Sequence, residues 1–282
     1  MPTFTAPDAT TLAYHVVGEG EPLLCLPGGP MRASAYLGDL GGLARHRRLY
    51  LLDPRGTGGS AVPADPATYR CDRQVGDVEA FRAHLGLDRV DLLAHSAAGD
   101  LALLHAAAHP HRVRTLTLVT TRARALGVDF TLEHRREAAA LRRAEPWFEE
   151  AYEAVERIWA GSVADADWDA AAPFFYGRWD ATARAHAAAE VAQTNEEAAD
   201  LYASAGAFQP LAARGAVTPP AARVLLLAGE LDGGPLPRVA AGVAELIPGA
   251  RLVVQPGAGH FPWLDDPRFF TETVVAFLGQ EG

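Results

Sequence analysis

The sequence predicts an α/β architecture: a mostly parallel sheet flanked by helices and interrupted by a helical insertion. Three observations carry this. Short, nearly continuous apolar runs alternate with amphipathic segments over the first 120 residues, the pattern of strands buried on both faces between covering helices. From about Arg122 the chain turns rich in Ala, Glu, Arg and aromatics, shows no convincing strand, and holds Trp147, Trp159, Trp168 and Trp179. The alternation then resumes for the last sixty or so residues. A chain of 282 residues can bury one such core with an insertion. The expected organisation is residues 1–121 as the N-terminal part of the core, 122–219 as a helical cap, and 220–282 as the C-terminal part of the core.

In order, residues 12–17, 23–26, 48–52, 90–94 and 115–119 read as strands, with helices near 33–43, 73–85 and 97–109 between them. In the second helix Val75, Val78, Phe81 and Leu85 recur at helical spacing. The connections are expected to be right-handed. Beyond the insertion, residues 215–223, with paired prolines, read as a linker back into the core. Then come a strand at 223–228, a helix at 238–246, a strand at 251–255 and a last helix after Pro267, whose start is marked by Asp266 as N-cap and proline in the first turn. No internal repeat is visible.

Composition narrows the chemistry. A net charge of -10 argues against a phosphate-backbone partner, and a small molecule or short peptide is the expected substrate. All 25 of the Lys and Arg residues are arginines, so Schiff-base and pyridoxal chemistry is excluded. Cys25 and Cys71 are too few for a disulfide framework and read as structural. No apolar run approaches the roughly 20 residues of a bilayer span, and the first residues show no basic segment followed by an apolar stretch. The expected location is the cytoplasm, with no membrane partner.

The segment Ala94-His95-Ser96-Ala97-Ala98 passes from a strand into a helix through a serine. Serine there can cap the helix. It can also be a nucleophile held out on a sharp turn, which crowds the backbone and requires small neighbours such as Ala94 and Ala98. A serine hydroxyl is a weak nucleophile until a base takes its proton and a third group orients that base. Two later segments supply candidates, each just past a strand: VLLLAGELDGG carries Glu230 and Asp232, and LVVQPGAGHFP carries His260. Open α/β sheets build their sites at that edge. His260 alone among the histidines combines this position with a preceding glycine and no helical pattern. Asp232 is preferred as the acid because it lies deeper in its loop and Gly233-Gly234 allow a sharp return. For the developing oxyanion, the amides of Gly29, in Pro27-Gly28-Gly29-Pro30, and of Ala97, at the positive end of its helix, are the candidate donors; Pro30 has no N–H to give.

With these residues in view, the chain resembles the α/β-hydrolase superfamily over nearly its whole length, through PGGP at 27–30, DPRGTGGS at 53–60, the Ser96 elbow, Asp232 and His260. The resemblance implies the α/β-hydrolase fold with a helical cap inserted after the sixth core strand, a serine mechanism and no cofactor. Within the superfamily, GGP followed by D-x-R-G-x-G-x-S resembles the proline iminopeptidase branch, whose members remove an N-terminal proline. The family's His-Gly-Gly-Pro-Gly reads Pro27-Gly28-Gly29-Pro30-Met31 here, and its Gly-Gly-Ser-Trp-Gly reads Ala94-His95-Ser96-Ala97-Ala98. A histidine before the serine is the form common among esterases. Iminopeptidases are expected to hold the substrate's ammonium with cap carboxylates, for which Glu190, Glu196, Glu197 and Asp200 are available. Esterase, lactonase, carbon-carbon hydrolase and a non-hydrolytic ligand-binding descendant therefore stay open as alternatives.

Two other motifs are set aside. Gly56-Thr57-Gly58-Gly59-Ser60-Ala61 fits a dinucleotide fingerprint, but the following Val62-Pro63-Ala64-Asp65-Pro66 opens no helix onto a pyrophosphate. Asp53 is instead expected to brace this loop, with Arg55 as its buried partner. His105 and His109 share a helix face with His111 nearby, yet no third ligand or H-E-x-x-H acid accompanies them, so no metal is expected.

Overall fold

A computed structural model describes residues 1–161, 164–208 and 222–280. Among them, strands β1 (Thr3–Thr5), β2 (Thr11–Val17), β3 (Pro22–Leu26), β4 (Arg48–Leu52), β5 (Val90–His95), β6 (Val113–Val119), β7 (Arg223–Gly229) and β8 (Arg251–Gln255) form one sheet in the order β1-β2-β4-β3-β5-β6-β7-β8. β1 with β2 and β2 with β4 pair antiparallel; every other pairing is parallel. Helices α1 (Val75–His84) and α2 (Ala98–Ala108) separate the central strands, and α9 (Pro237–Leu246), α10 (Pro262–Asp265) and α11 (Pro267–Leu278) follow β7 and β8. Between β6 and β7 lie α3 (Leu132–Ala140), α4 (Phe148–Trp159), α5 (Asp165–Ala171), α6 (Ala181–Ala188), α7 (Glu190–Gln193) and α8 (Glu196–Tyr202). The proposed cap corresponds to this helical stretch.

The two-residue period of a strand divides the core into two layers. Leu24, Leu26, Leu92, Ala94, Leu116, Leu118, Val224 and Leu226 pack with Phe81 of α1 and Leu101 of α2. Their neighbours Leu23, Cys25, Leu93, Val119, Leu225 and Leu227 face the other way, against Phe270, Val274 and Phe277 of α11. Both faces of the parallel part are thus covered, which explains the unbroken apolar runs. Ala139, Phe148, Ala154 and Phe174 make a separate small cluster within the helical stretch.

Several details differ from expectation. The short edge strand β1 was not anticipated. In place of a helix over 33–43 there are two 3₁₀ turns, Ser34–Leu37 and Leu43–Arg45. Gly38, Gly41 and Gly42 between them adopt φ of 55°, 65° and 92°, which no right-handed helix contains. Of the linker reading at 215–223, residues 215–221 lie outside the described ones. The start of α11 matches its signature: the Asp266 side chain accepts from the Phe269 amide at 3.0 Å. Both cysteines are free and buried, and burial pushes their thiols up.

Asp53 does brace its loop, accepting from the Ser34 amide (2.9 Å), the Ser34 hydroxyl (2.7 Å) and the Gly59 amide (3.0 Å). Arg55 is not its partner, contrary to expectation. These donors and His15 (3.2 Å) already surround the Asp53 carboxylate, whereas the Arg55 guanidinium reaches Asp77 of α1 at 2.8 Å and Asp8 at 2.6 Å.

The fold also brings Glu79 of α1 beside His105 and His109, with ligand atoms within 4.8 Å of one another. This third group, 26 residues before His105, is not expected from the sequence. Its carboxylate is held by Arg82 at 2.6 Å, a guanidinium that would repel a cation. Burial holds the His105 imidazole down to about 4. The unfolded chain takes up this proton near the ordinary 6.5, so stability from this residue is present above 6.5 and is lost as pH falls toward 4. Asp77 and Asp100, raised by burial, act with the opposite sign, so the test compares variants. Urea unfolding from pH 7 to 4.5 should show a shallower loss of stability in His105→Gln than in wild type, by about 1–3 kcal/mol. Equal slopes would contradict the assignment.

Candidate active site

Ser96 occupies the sharp turn between β5 and α2 with a φ of 53°, a left-handed conformation for a residue with a Cβ. Its amide donates to the Val119 carbonyl (3.0 Å), and its own carbonyl accepts from the amides of Gly99 (3.0 Å) and Arg122 (3.1 Å). The turn packs tightly on its surroundings. A Cβ on Gly28 would lie 2.6 Å from the His95 carbonyl oxygen and 2.7 Å from Ser96 Cβ; one on Gly99 would lie 2.5 Å from Thr121 Cβ. The close approach to the loop after β6 therefore falls at Gly99, while the alanines at 94 and 98 sit buried.

Three loops at the carboxyl edge of the sheet meet here. Ser96 Oγ lies 2.8 Å from His260 Nε2. On the other side of the ring, His260 Nδ1 lies 2.9 Å from Asp232 Oδ2 and 3.1 Å from Oδ1. Asp232 is fully buried, and Oδ1 also accepts from the Gly234 amide at 2.7 Å. Glu230, the other acid weighed from the sequence, turns away and accepts from the Gly257 amide at 2.8 Å. With Asp232 beside Nδ1 as acceptor, the neutral ring carries its proton on Nδ1 and leaves Nε2 to accept from the Ser96 hydroxyl.

The loop that carries His260 is held from several sides. The His260 amide donates to the Phe175 carbonyl at 2.8 Å. The His260 carbonyl accepts from the Thr120 hydroxyl and from His95 Nε2, both at 2.9 Å. His95 Nδ1 lies 2.7 Å from the Tyr36 hydroxyl, which itself accepts from the Gly28 amide at 2.7 Å. Since the Tyr36 oxygen receives one proton and gives its own to His95, the chain of donors is fixed: Gly28 to Tyr36 to His95 to the His260 carbonyl. Burial pushes the His95 imidazole well below its ordinary value, with His260 adding to the effect, so His95 acts as a neutral tie. Sequence reading missed Tyr36 and Thr120 altogether; the only signal was the histidine before the serine.

The Gly28 amide is thus already engaged. The amides of Gly29 and Ala97, by contrast, donate to no acceptor among the described residues. A Cβ on Gly28 would lie 3.3 Å from the Ala97 nitrogen, so the glycine loop and the start of α2 adjoin. Glu190 forms an ion pair with the buried Arg32 at 3.3 Å, and Glu196, Glu197 and Asp200 are exposed.

The fold and this edge of the sheet define an α/β hydrolase. Residues 21–267 match the model of the alpha/beta hydrolase fold family, and the chain belongs to that family. It is 36% identical to a proline iminopeptidase of Lactobacillus helveticus over 115 residues, which are 38% of this chain and 39% of that protein; the match thus spans about two-fifths of the curated relative. The solved proline iminopeptidase of Mycobacterium smegmatis is similar with a TM-score of 0.75 and 25% identity, covering 98% of this chain and 97% of that one. An esterase from Exiguobacterium antarcticum shares the fold with a TM-score of 0.73 and 20% identity, covering 99% of each chain. No helix of the described residues is long and apolar enough to cross a membrane.

Gly28→Ala should force the glycine loop off the elbow, because its new Cβ would fall within 3 Å of His95 and Ser96. Overpacking of this kind costs about 1–3 kcal/mol. Urea unfolding measures it, and an unchanged midpoint would mean that the loop yields freely.

Proposed function

We propose that this chain is a serine hydrolase acting on a small ester or amide, with Ser96 as nucleophile, His260 as general base and acid, and Asp232 as the group that orients the imidazole. One observation carries the reading: the unbroken run from Ser96 Oγ to His260 Nε2 at 2.8 Å and from His260 Nδ1 to Asp232 at 2.9 Å. Ser96 Oγ attacks the substrate carbonyl while His260 Nε2 takes its proton. The Asp232 carboxylate stabilises the imidazolium. The amides of Gly29 and Ala97, free of other acceptors among the described residues, donate to the oxyanion. Collapse of the tetrahedral species passes the proton to the leaving group, and the same residues then direct water at the acyl-enzyme.

Removal of an N-terminal proline is the second reading, supported by the likeness to proline iminopeptidases. Against it, Glu190 already compensates Arg32, and the other acids considered for an ammonium site face solvent. The ester reading is therefore preferred.

Labelling with a fluorophosphonate should modify Ser96, and Ser96→Ala should abolish both labelling and turnover while unfolding like wild type. Folded wild-type protein that stays unlabelled would instead favour a ligand-binding descendant of the fold. Asp232→Asn should lower kcat by about 10⁴-fold, and a loss of less than tenfold would remove Asp232 from the scheme. Short-chain acyl esters should be cleaved in preference to prolyl amides; the reverse order would establish the iminopeptidase reading.

A further inference from the structure

A small cleft is lined by Arg135, Trp159, Trp168, Phe174, Phe175 and Gly233 among others. It borders the proposed triad. The Phe175 ring stands edge-on to the His260 ring with centroids 5.8 Å apart, and Gly233 directly follows Asp232, its amide donating to the Phe174 carbonyl at 3.0 Å. The walls are largely aromatic, yet Arg135 brings a guanidinium to them.

Among the described residues no carboxylate lies within ion-pair distance of Arg135, and no acceptor receives its guanidinium protons; its one recorded partner is the face of Phe130, 4.7 Å from Cζ to the ring centroid. Arg122 shares the same ring at 4.5 Å. Its nearest carboxylate is that of the exposed Asp129, at 3.9 Å, and its backbone amide is bonded to the Ser96 carbonyl at 3.1 Å. Burial pushes both guanidinium values down, against the pull of Asp129, and for Arg122 the nearby Arg124 and Arg135 add to the effect. Both guanidinium groups are only partly buried, so water reaches their donors, and a ligand that displaces this water must offer acceptors in its place. A carboxylate offers the bidentate partner that such a fork accepts. An ammonium group would be repelled.

We propose that this cleft binds a carboxylate carried by the substrate, so that the enzyme acts on esters or amides bearing a second, ionised carboxylate. Arg135 pairs with that group, and Arg122, on the same Phe130 ring, adds a second positive charge nearby. The aromatic walls cover the apolar chain between the carboxylate and the scissile carbonyl. This inference rests on the proposed triad and names its substrate class.

Two ester pairs test it: 4-nitrophenyl hydrogen adipate against 4-nitrophenyl hexanoate, with the charge on the acyl part, and 4-acetoxybenzoate against phenyl acetate, with the charge on the leaving group. After correction for hydroxide-catalysed rates, wild type should favour the charged member of one pair by about tenfold or more in kcat/KM, the worth of one charge-assisted pair. Arg135→Gln should erase that ratio, Arg135→Lys should keep part of it, and Arg135→Glu should turn the preference toward 4-nitrophenyl 6-aminohexanoate. Ratios that are the same in wild type and all three variants, in both pairs, overturn the proposal. Should the variants fail to fold, wild type alone decides: adipate should protect Ser96 from a fluorophosphonate at far lower concentration than adipamide, and equal protection overturns it. Failure of the triad reading is seen separately, as wild-type protein that neither labels nor turns over any ester. Calorimetric titration with adipate then tests the cleft by itself, with binding supporting the carboxylate site and no binding overturning it.

Discussion

The left-handed turn at Ser96 is the constraint around which this edge of the molecule is arranged. A serine at a φ of 53° costs on the order of 1–3 kcal/mol and persists only where its surroundings over-determine it. Here β5 and α2, both buried, fix the two ends of the turn. Nothing larger than glycine fits at 28 or 99 without intruding on the elbow or on the loop after β6. The strain keeps the hydroxyl outside the strand and helix hydrogen bonding, where His260 Nε2 reaches it at 2.8 Å.

The second requirement is that loops distant in sequence arrive with sub-ångström tolerance. Parallel neighbours β5, β6, β7 and β8 end on one edge, which brings their following loops together. The His260 carbonyl then ties those loops to one another, accepting from Thr120 after β6 and from His95 before the serine. Through Tyr36 the same chain of donors reaches the glycine loop. The groups proposed to attack, to carry the proton and to stabilise the oxyanion are therefore mechanically linked through a neutral, buried histidine. Arg135 in the neighbouring cleft is a different kind of feature, a cation whose partner is proposed to be the substrate.

Much of this was legible in the sequence, for physical reasons that differ by element. Strands buried on both faces announce themselves as apolar runs, and the Asp266-Pro267 signature marks a helix start by local hydrogen bonding alone. The serine could be singled out because it sits between a strand and a helix among small residues, and the acid and the histidine because each follows a strand in a glycine-bearing loop. What escaped depends on contacts across the chain. The glycines at 38, 41 and 42 dissolve the expected helix over 33–43 through positive φ, and β1 is too short to carry a pattern. Arg55 bonds Asp77 and Asp8 in place of the neighbouring Asp53, since a long side chain chooses partners in space. Glu79 beside His105, Tyr36 beside His95, and Arg122 with Arg135 on one phenylalanine ring were likewise invisible, because their separations in sequence exceed any local period.

The decisive measurement is a crystal structure of the protein after reaction with a fluorophosphonate. Phosphorus should be bonded to Ser96 Oγ, with its phosphoryl oxygen within about 3 Å of both the Gly29 and Ala97 nitrogens and His260 still in contact with Asp232. An adduct on another residue, or a phosphoryl oxygen turned to solvent away from those two amides, would contradict the proposed serine mechanism.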